Sequence, residues 1–267
     1  MKRRDFIQAS LITGTVATLI PQASVASVSK PMQPNTTFEY YELRTYIVKN
    51  GRQRKLVEDY FQQAAIPALN KIGSKSIGVF TEYLPQGFTK LIVLIPYASL
   101  TDFIEAPQKL VKDTAYLQAA APYLNATAIE PAYERIESSL FKSFAQMPAL
   151  EVPEKKPRLF ELRRYESPSE ITGKKKIEMF NDAGEITIFK RVGLTPVFFG
   201  EAVIGSHLPN LTYMLVFDNM EEHDQNWKKF GSDPEWKKIS SMPEYSDEKI
   251  LSGITRTFLV PTAFSQI

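Results

Sequence analysis

Tyr41-Glu42-Leu43-Arg44-Thr45-Tyr46 returns later in the chain as Phe160-Glu161-Leu162-Arg163-Arg164-Tyr165. Successive residues of a β-strand point to opposite faces, so the Glu, Arg and Tyr of each copy share one face. The apolar residues between them share the other face. A strand with one apolar face and one charged, aromatic face is expected to be half-buried or to lie between two packing layers.

The segments that follow the two copies repeat as well. Gly73 and Gly193 stand about 120 residues apart, and so do Asp113 and Asp233. Each copy is predicted to have the order β-α-β-β-α-β, which is the ferredoxin-like topology. The predicted fold class is therefore α+β, with two tandem ferredoxin-like repeats whose sheets pair into a dimeric α/β-barrel-like unit.

The first repeat is predicted to span residues 38–145. Largely apolar segments between turn signals predict strands at 38–48, 77–83 and 91–97, and a strand or extended segment at 132–144. A turn at 85–87 joins the second and third of these strands. A helix over 54–72 should kink at Pro67 and end at Gly73, and a helix over 103–124 should break at Pro107 and Pro122.

The second repeat is predicted to span residues 158–267, after a linker over 146–157 that contains three prolines. Its four strands are predicted at 159–165, 195–203, 211–217 and 250–260. One helix is predicted over 172–192. Two further helices should begin after Asn219 and Asp233, because Asn and Asp are favourable N-cap residues.

Residues 1–26 resemble a twin-arginine export signal, because Arg3-Arg4 precedes a short apolar run. Small residues favour cleavage after Ala26, and 27–37 is a predicted linker. The apolar run is too short and too polar for a stable membrane anchor. The protein is thus predicted to be exported, periplasmic or secreted, with an ordinary secretory signal as the alternative.

The charge balance argues against nucleic acid as a partner. The chain has 32 basic and 30 acidic residues, and removal of residues 1–26 leaves 32 − 3 = 29 of the former and 30 − 1 = 29 of the latter. A nucleic-acid-binding protein is expected to carry a basic field, which a neutral chain lacks. The chain has no cysteine, which excludes disulfides and thiolate metal sites.

Four segments together resemble the NIPSNAP family: Phe160–Tyr165, Met214–Met220, Asp233–Trp236 and Pro261–Ser265. The resemblance implies two tandem dimeric α/β-barrel domains. It implies no particular activity, because the family has no agreed biochemical activity. Its best-known members are mitochondrial proteins implicated in vesicle transport and mitochondrial quality control. The related barrel fold also includes haem-degrading enzymes and cofactor-free monooxygenases, an analogy of fold alone.

The strongest candidates for a ligand site are the two Glu-x-Arg-x-Tyr triads: Glu42, Arg44 and Tyr46, and Glu161, Arg163 and Tyr165. Facing sheets could bring the triads together across a pseudo-two-fold axis. Arginine could then bind a carboxylate or phosphate through two hydrogen bonds. The favoured alternative is a structural Glu–Arg network, since a buried charge must be paired.

The two histidines give weaker signals. His207, in a predicted turn, is a candidate ligand residue and a possible axial ligand of haem. His223 lies in a charged helix and is expected at the surface, so no metal site is predicted. Lys174–Lys176 is expected to be a solvated face, whereas Trp227, Phe230 and Trp236 should pack in the core.

No catalytic motif is present, and the predicted role is therefore a non-enzymatic binding module for a small molecule or a protein, with no cofactor. The alternative is a small oxidoreductase or monooxygenase that uses the cleft between sheet and helices, with haem as a possible cofactor. Both a monomer and a homodimer are compatible with a duplicated chain.

Overall fold

The two repeated strands each lie in the middle of a four-stranded antiparallel sheet. The computed structural model describes residues 37–85 and 89–267. In the first sheet the order is β4-β1-β3-β2, and its strands are β1 (Tyr40–Val48), β2 (Gly78–Glu82), β3 (Thr89–Tyr97) and β4 (Arg135–Ser143). The predicted signal peptide at 1–26, nearly all of the linker at 27–37 and most of the turn at 85–87 lie outside the described residues.

The second sheet repeats this order as β8-β5-β7-β6. Its strands are β5 (Leu159–Glu166), β6 (Thr195–Ile204), β7 (Asn210–Phe217) and β8 (Gly253–Pro261). Strand β2 pairs with β8, and β4 pairs with β6, both antiparallel. These two seams join the sheets into one closed barrel of eight strands. The predicted α+β fold of two ferredoxin-like repeats is confirmed.

The helices of the first repeat are α1 (Gly51–Tyr60), α2 (Ile66–Lys71), α3 (Leu100–Leu110) and α4 (Thr114–Leu124). A π-helical turn, Phe61–Ala65, joins α1 to α2 just before Pro67, as expected where proline removes a hydrogen-bond donor. The predicted breaks at Pro107 and Pro122 are wrong. Both prolines lie in the last turn of a helix, and the chain breaks instead before Asp113, the N-cap of α4.

The helices of the second repeat are α5 (Glu170–Asn181), α6 (Glu185–Val192), α7 (Met220–Ser232), α8 (Pro234–Ser240) and α9 (Asp247–Ile250), with a 3₁₀ turn at Pro243–Tyr245. The single helix predicted over 172–192 is in fact α5 and α6. The first ends at Asn181, and Gly184, with φ of 93° in the left-handed region, is the N-cap of the second. Asn219 and Asp233 cap α7 and α8 as predicted.

The two faces of the repeated strands belong to different cores. Tyr41 and Phe160 point into the barrel, where they pack with Phe80, Phe198 and other apolar residues. Tyr46 and Tyr165 point outward into two separate helix-covered clusters. This division follows from strand alternation and keeps the charged face of each repeat under its own helices. Within residues 37–85 and 89–267, no helix is both long and apolar enough to cross a bilayer.

Candidate functional site

Glu42 and Arg44 form a two-point ion pair on the outer face of β1. Arg44 Nε lies 2.6 Å from Glu42 Oε1, and Arg44 Nη2 lies 2.8 Å from Oε2. Glu42 is 5 % exposed, so its carboxylate needs partners for both oxygens. The parallel geometry of the two bonds fixes the guanidinium plane.

Two hydroxyl groups complete the surroundings of Glu42. Ser138 Oγ donates to Oε1 at 2.8 Å, and Tyr97 Oη donates to Oε2 at 3.3 Å. Burial and the charge of Glu42 raise the pKa of Tyr97, which therefore keeps its proton. Burial lowers the pKa of Arg44, but the hydrogen bonds and charge of Glu42 outweigh this effect and raise it overall. Arg44 therefore keeps its positive charge.

A cavity of about 220 Å³ opens above this ion pair, between the first sheet and its helices. We call it the first-repeat cleft. Arg44 borders the cleft, and its side chain is 27 % exposed. The other lining residues are mostly apolar or aromatic: Glu42, Tyr60, Phe61, Ala65, Leu69, Tyr97, Phe103, Ile104, Ala106, Pro107 and Leu110. A concave, largely apolar site with one charged pair has the composition of a small-molecule pocket.

Tyr60, which lines the cleft, is backed by a cluster of further tyrosines. The ring of Tyr60 stacks on Tyr123 with 3.9 Å between centroids, and its hydroxyl lies 3.0 Å from that of Tyr116. Tyr123 Oη donates to Tyr46 Oη at 3.5 Å. Burial raises the pKa of Tyr46, Tyr60 and Tyr123, so these phenols stay neutral. Tyr46, the third member of the predicted triad, thus supports the wall.

The second triad is covered much more closely. Glu161 is 0 % exposed and accepts from Arg163 Nε at 2.7 Å and from Trp227 Nε1 at 2.9 Å. The Trp227 ring lies over the Arg163 guanidinium, 3.8 Å from ring centroid to Cζ, in cation–π contact. Arg163 Nη1 also donates to Tyr165 Oη at 3.1 Å. The two triads lie on opposite repeats and do not meet, contrary to the prediction, because alternation directs both outward.

His223 is buried, so its predicted surface location is wrong. Its Nε2 lies 3.3 Å from Glu161 Oε2, and its ring packs between Phe217 and Phe258, at 5.0 and 5.1 Å. The charged residues beside it in sequence occupy the outer face of α7, whereas His223 occupies the inner face. Asp224, exposed at the surface, contacts Nδ1 at 2.8 Å.

Aligning the N-caps of α3 and α7 explains why the second triad is covered and the first is not. Ser99 caps α3 and Asn219 caps α7. Counted from these caps, Pro107 corresponds to Trp227, and Phe103 to His223. The indole that covers the second triad thus has a proline as its counterpart in the first. Alignment from the caps was the signal in the sequence that would have identified the role of Trp227.

The remaining predicted positions lie elsewhere. His207 is 51 % exposed in the β6–β7 turn, with Nδ1 3.3 Å from Glu166 Oε1, and it borders neither triad.

Lys176 is 2 % exposed, so the predicted solvated face is wrong at this position. Its Nζ lies 3.3 Å from the buried carboxylate of Glu185, which is why it can be buried. Trp227 and Trp236 pack against the core cluster of the second repeat, and Phe230 is part of it, as predicted.

The lining of the first-repeat cleft includes no histidine and therefore offers no imidazole ligand to haem. Among the residues that the structure describes, no group of three or more His, Asp and Glu side chains could hold a metal ion. The chemistry that the cleft can supply is a fixed cation, a neutral hydroxyl donor in Tyr97 and an aromatic wall.

Comparison with solved structures shows the fold of the whole pair of repeats. A candidate monooxygenase from Fusobacterium nucleatum superposes with a TM-score of 0.55 at 11 % identity, over 84 % of this chain and 93 % of that one. A second one, from Lactobacillus acidophilus, gives 0.56 at 8 % identity, over 84 % and 94 %. A NIPSNAP family protein from Agrobacterium tumefaciens is 18 % identical over 40 % of this chain and 96 % of its own, with a TM-score of 0.36.

Comparison of the sequence alone identifies the family. Among curated proteins no sequence matched. The NIPSNAP family model matches twice, over residues 41–140 and again over 160–266, and these boundaries coincide with the two ferredoxin-like repeats. The matches cover well over half of the sequence and contain both triads, so the chain belongs to the NIPSNAP family.

Proposed function

We propose that the first-repeat cleft binds a small, largely apolar molecule that presents an anionic or carbonyl oxygen to Arg44, and that the second repeat is its scaffold. One observation supports this most directly: a cavity reaches Glu42 and Arg44, whereas Trp227 covers the equivalent pair. The Glu and Arg of each triad pair with each other, so a purely structural role would not require a cavity. The cavity above the first triad therefore supports a binding role.

The character of the ligand follows from the lining. The cavity volume of about 220 Å³ lies below the usual range for drug-sized ligands, which favours a compact molecule with about one or two rings. Tyr60, Phe61 and Phe103 offer aromatic faces for such rings. Arg44 is held in place by Glu42, so an incoming carboxylate meets a preorganised cation and loses little free energy to ordering.

The direct test is calorimetric titration of the protein with benzoate, salicylate and 1-naphthoate. Saturable binding is expected, and Arg44→Gln should weaken it by roughly tenfold or more through loss of a charge-assisted contact. Pro107→Trp, which places in the first repeat the indole that covers the second, should abolish binding without loss of folding. Arg191→Gln, which changes an exposed arginine of α6, is the matched control and should leave the affinity unchanged.

Two results would overturn this proposal. One is absence of binding by all three acids and by their neutral amides. The other is binding that persists in a folded Pro107→Trp variant. Because Arg44→Gln also removes a partner of the buried Glu42, circular dichroism of each variant accompanies the titrations.

A monooxygenase is the second candidate function. The cleft contains an arginine that could stabilise an oxyanion, and two solved structures that match over 84 % of this chain are named candidate monooxygenases. A reaction without cofactor would balance as R₂CH₂ + O₂ → R₂C=O + H₂O, with the substrate supplying the electrons. Oxygen uptake in the presence of activated aromatic substrates, abolished by Arg44→Gln, would favour this function over binding alone.

We also propose that the protein is exported by the twin-arginine route and cleaved after Ala26. The support is the sequence of residues 1–26, with Arg3-Arg4 before a short apolar run. N-terminal sequencing of protein from the periplasm should begin at Ser27. Substituting both arginines by lysine should retain the full-length precursor in the cytoplasm, and unchanged export of that variant would point to the general secretory route.

A further inference from the structure

A second and larger cavity, of about 300 Å³, lies at the end of the barrel where β1 and β5 run out. We call it the barrel mouth. It is separate from the first-repeat cleft, because its walls are the inward faces of the strands. Its lining residues come from both repeats, for example Thr45 and Glu137 from the first and Arg164 and Thr257 from the second.

The side chains that point into the barrel are apolar near its centre and polar near the mouth. Along β5 the row runs Phe160, Leu162, Arg164, and along β7 it runs from Met214 to Thr212. The apolar part of these rows fills the barrel core. Polar groups inside a barrel are unfavourable unless water or a ligand satisfies them. Part of the polar half is satisfied within the protein, because Thr212 Oγ1 donates to Asn210 Oδ1 at 3.2 Å and Asn210 Nδ2 donates to the carbonyls of Ser206 and His207. The other hydroxyl groups of the lining face the cavity, where water or a ligand can satisfy them.

The charges of the mouth are balanced. Lys90 Nζ lies 3.6 Å from Glu82, and Arg164 donates to Glu166 at 2.9 Å and to Thr255 Oγ1 at 3.3 Å. Glu137 adds a carboxylate at the exposed rim. With two acids and two bases in the lining, the mouth has no net charge to attract a simple ion. Such a lining favours a neutral molecule that both donates and accepts hydrogen bonds.

Hydroxyl and amide groups make up most of the remaining polar lining. They are contributed by Thr45, Ser139, Ser206, Asn210, Thr212, Thr255 and Thr257. The floor is apolar, with Phe141 and three aliphatic side chains. A sugar ring has polar edges, where each hydroxyl donates and accepts, and an apolar face of C–H groups. We propose that the barrel mouth binds a neutral, polyhydroxylated molecule the size of a monosaccharide.

The two halves of the mouth differ, which would fix the orientation of such a ligand. Strand pairing places Thr45 opposite Ile92 in the first sheet and Arg164 opposite Thr212 in the second. The equivalent positions of the two repeats therefore carry different side chains, and the pseudo-two-fold axis is broken here. A ligand would thus bind in one orientation.

The test is ligand-observed NMR followed by calorimetry with the full mature protein. The probes are glucose, galactose, mannose and myo-inositol, with glycine and glucuronate as charged comparisons. At least one neutral probe should bind saturably with a dissociation constant below the order of 10 mM. The double substitution Thr45→Val and Thr257→Val keeps side-chain size but removes a hydroxyl from each repeat, and should weaken binding roughly tenfold.

Controls separate this site from the first-repeat cleft. Pro107→Trp should leave sugar binding unchanged, whereas the valine substitutions should leave binding of aromatic acids unchanged. Three results would overturn the inference: no neutral probe binds, only the charged comparisons bind, or a folded double-valine variant binds as well as the parent protein. Failure here leaves the function proposed for the cleft unaffected, because each site has its own probe and its own variants.

Discussion

Trp227→Phe tests whether the indole of Trp227 stabilises the buried charge of the second repeat. Trp227 Nε1 donates to Glu161 at 2.9 Å, and Glu161 is 0 % exposed. Phenylalanine keeps most of the ring that covers Arg163 and packs against Phe189, but it has no N–H. The substitution therefore removes a hydrogen bond to a buried carboxylate, and His223 Nε2, 3.3 Å from the same oxygen, makes no hydrogen bond to replace it.

The expected loss can be estimated from two contributions. A hydrogen bond to a charged group contributes about 1.5–3 kcal/mol to stability. The smaller ring also buries less apolar surface, which adds about 1 kcal/mol. The free energy of unfolding should thus fall by about 3 kcal/mol. For a folded unit of this size that is a decrease in Tm of roughly 6–12 °C.

Urea unfolding followed by circular dichroism measures this loss. Trp236→Phe is the matched control, because Trp236 also packs on the second-repeat core, against Phe230 at 4.3 Å, but does not contact Glu161. The control should lose about 1 kcal/mol. Equal losses in the two variants would refute the assigned role of the indole N–H, since ring size would then account for both.

Three further predictions concern stability. Lys176→Met should cost about 3–5 kcal/mol, because it leaves the carboxylate of Glu185 buried without its cation, and Glu185→Leu in the same chain should restore part of the loss in urea unfolding. Gly193→Ala should cost roughly 1–2 kcal/mol, because φ is 91° and the new Cβ would lie 3.0 Å from Asn226 Nδ2, whereas Gly51→Ala, with open space at Cβ, should not. Burial and a hydrogen bond to a carboxylate raise the pKa of Tyr245 to about 12, above its value of 10.0 in the unfolded chain. Its contribution to stability is therefore complete below pH 10 and is lost as the pH rises toward 12, so Tyr245→Phe should show a smaller decrease over that range.

Much of the fold could be predicted because strand alternation and turn residues are local signals. The eight strands follow from short segments that are apolar throughout or at alternate positions and lie between turn residues, and the duplication indicates how two sheets can close one barrel. Helix breaks were harder to place. Pro107 is tolerated in a last turn, whereas Gly184 interrupts a continuous helical pattern through its left-handed backbone.

The site could be predicted only in part. Alternation places each Glu, Arg and Tyr of the triads on one face, where the structure has them. The partners from other elements, Tyr97, Ser138 and Trp227, depend on how helices and neighbouring strands pack over that face, and no local pattern encodes this. The location of His223 could not be predicted either. Its neighbours in sequence are charged and predict a surface position, although its side chain lies on the inner face of α7.

The two repeats show how a duplicated scaffold can diverge. Each retains a Glu–Arg pair two residues apart on its first strand, which stabilises the sheet beneath the helices. The residue eight positions after the helix cap then decides whether that pair is covered, as by Trp227, or borders a cavity, as beside Pro107. On this account one repeat keeps a site and the other provides stability.

The central claim is that the Glu42–Arg44 pair borders a ligand cavity whereas Trp227 covers Glu161 and Arg163, and native mass spectrometry of the protein tests it most directly. With saturating aromatic acid, the account predicts one ligand per chain, and none in the Pro107→Trp variant. Two equivalent ligands per chain, or one ligand retained in the folded Pro107→Trp variant, would contradict it.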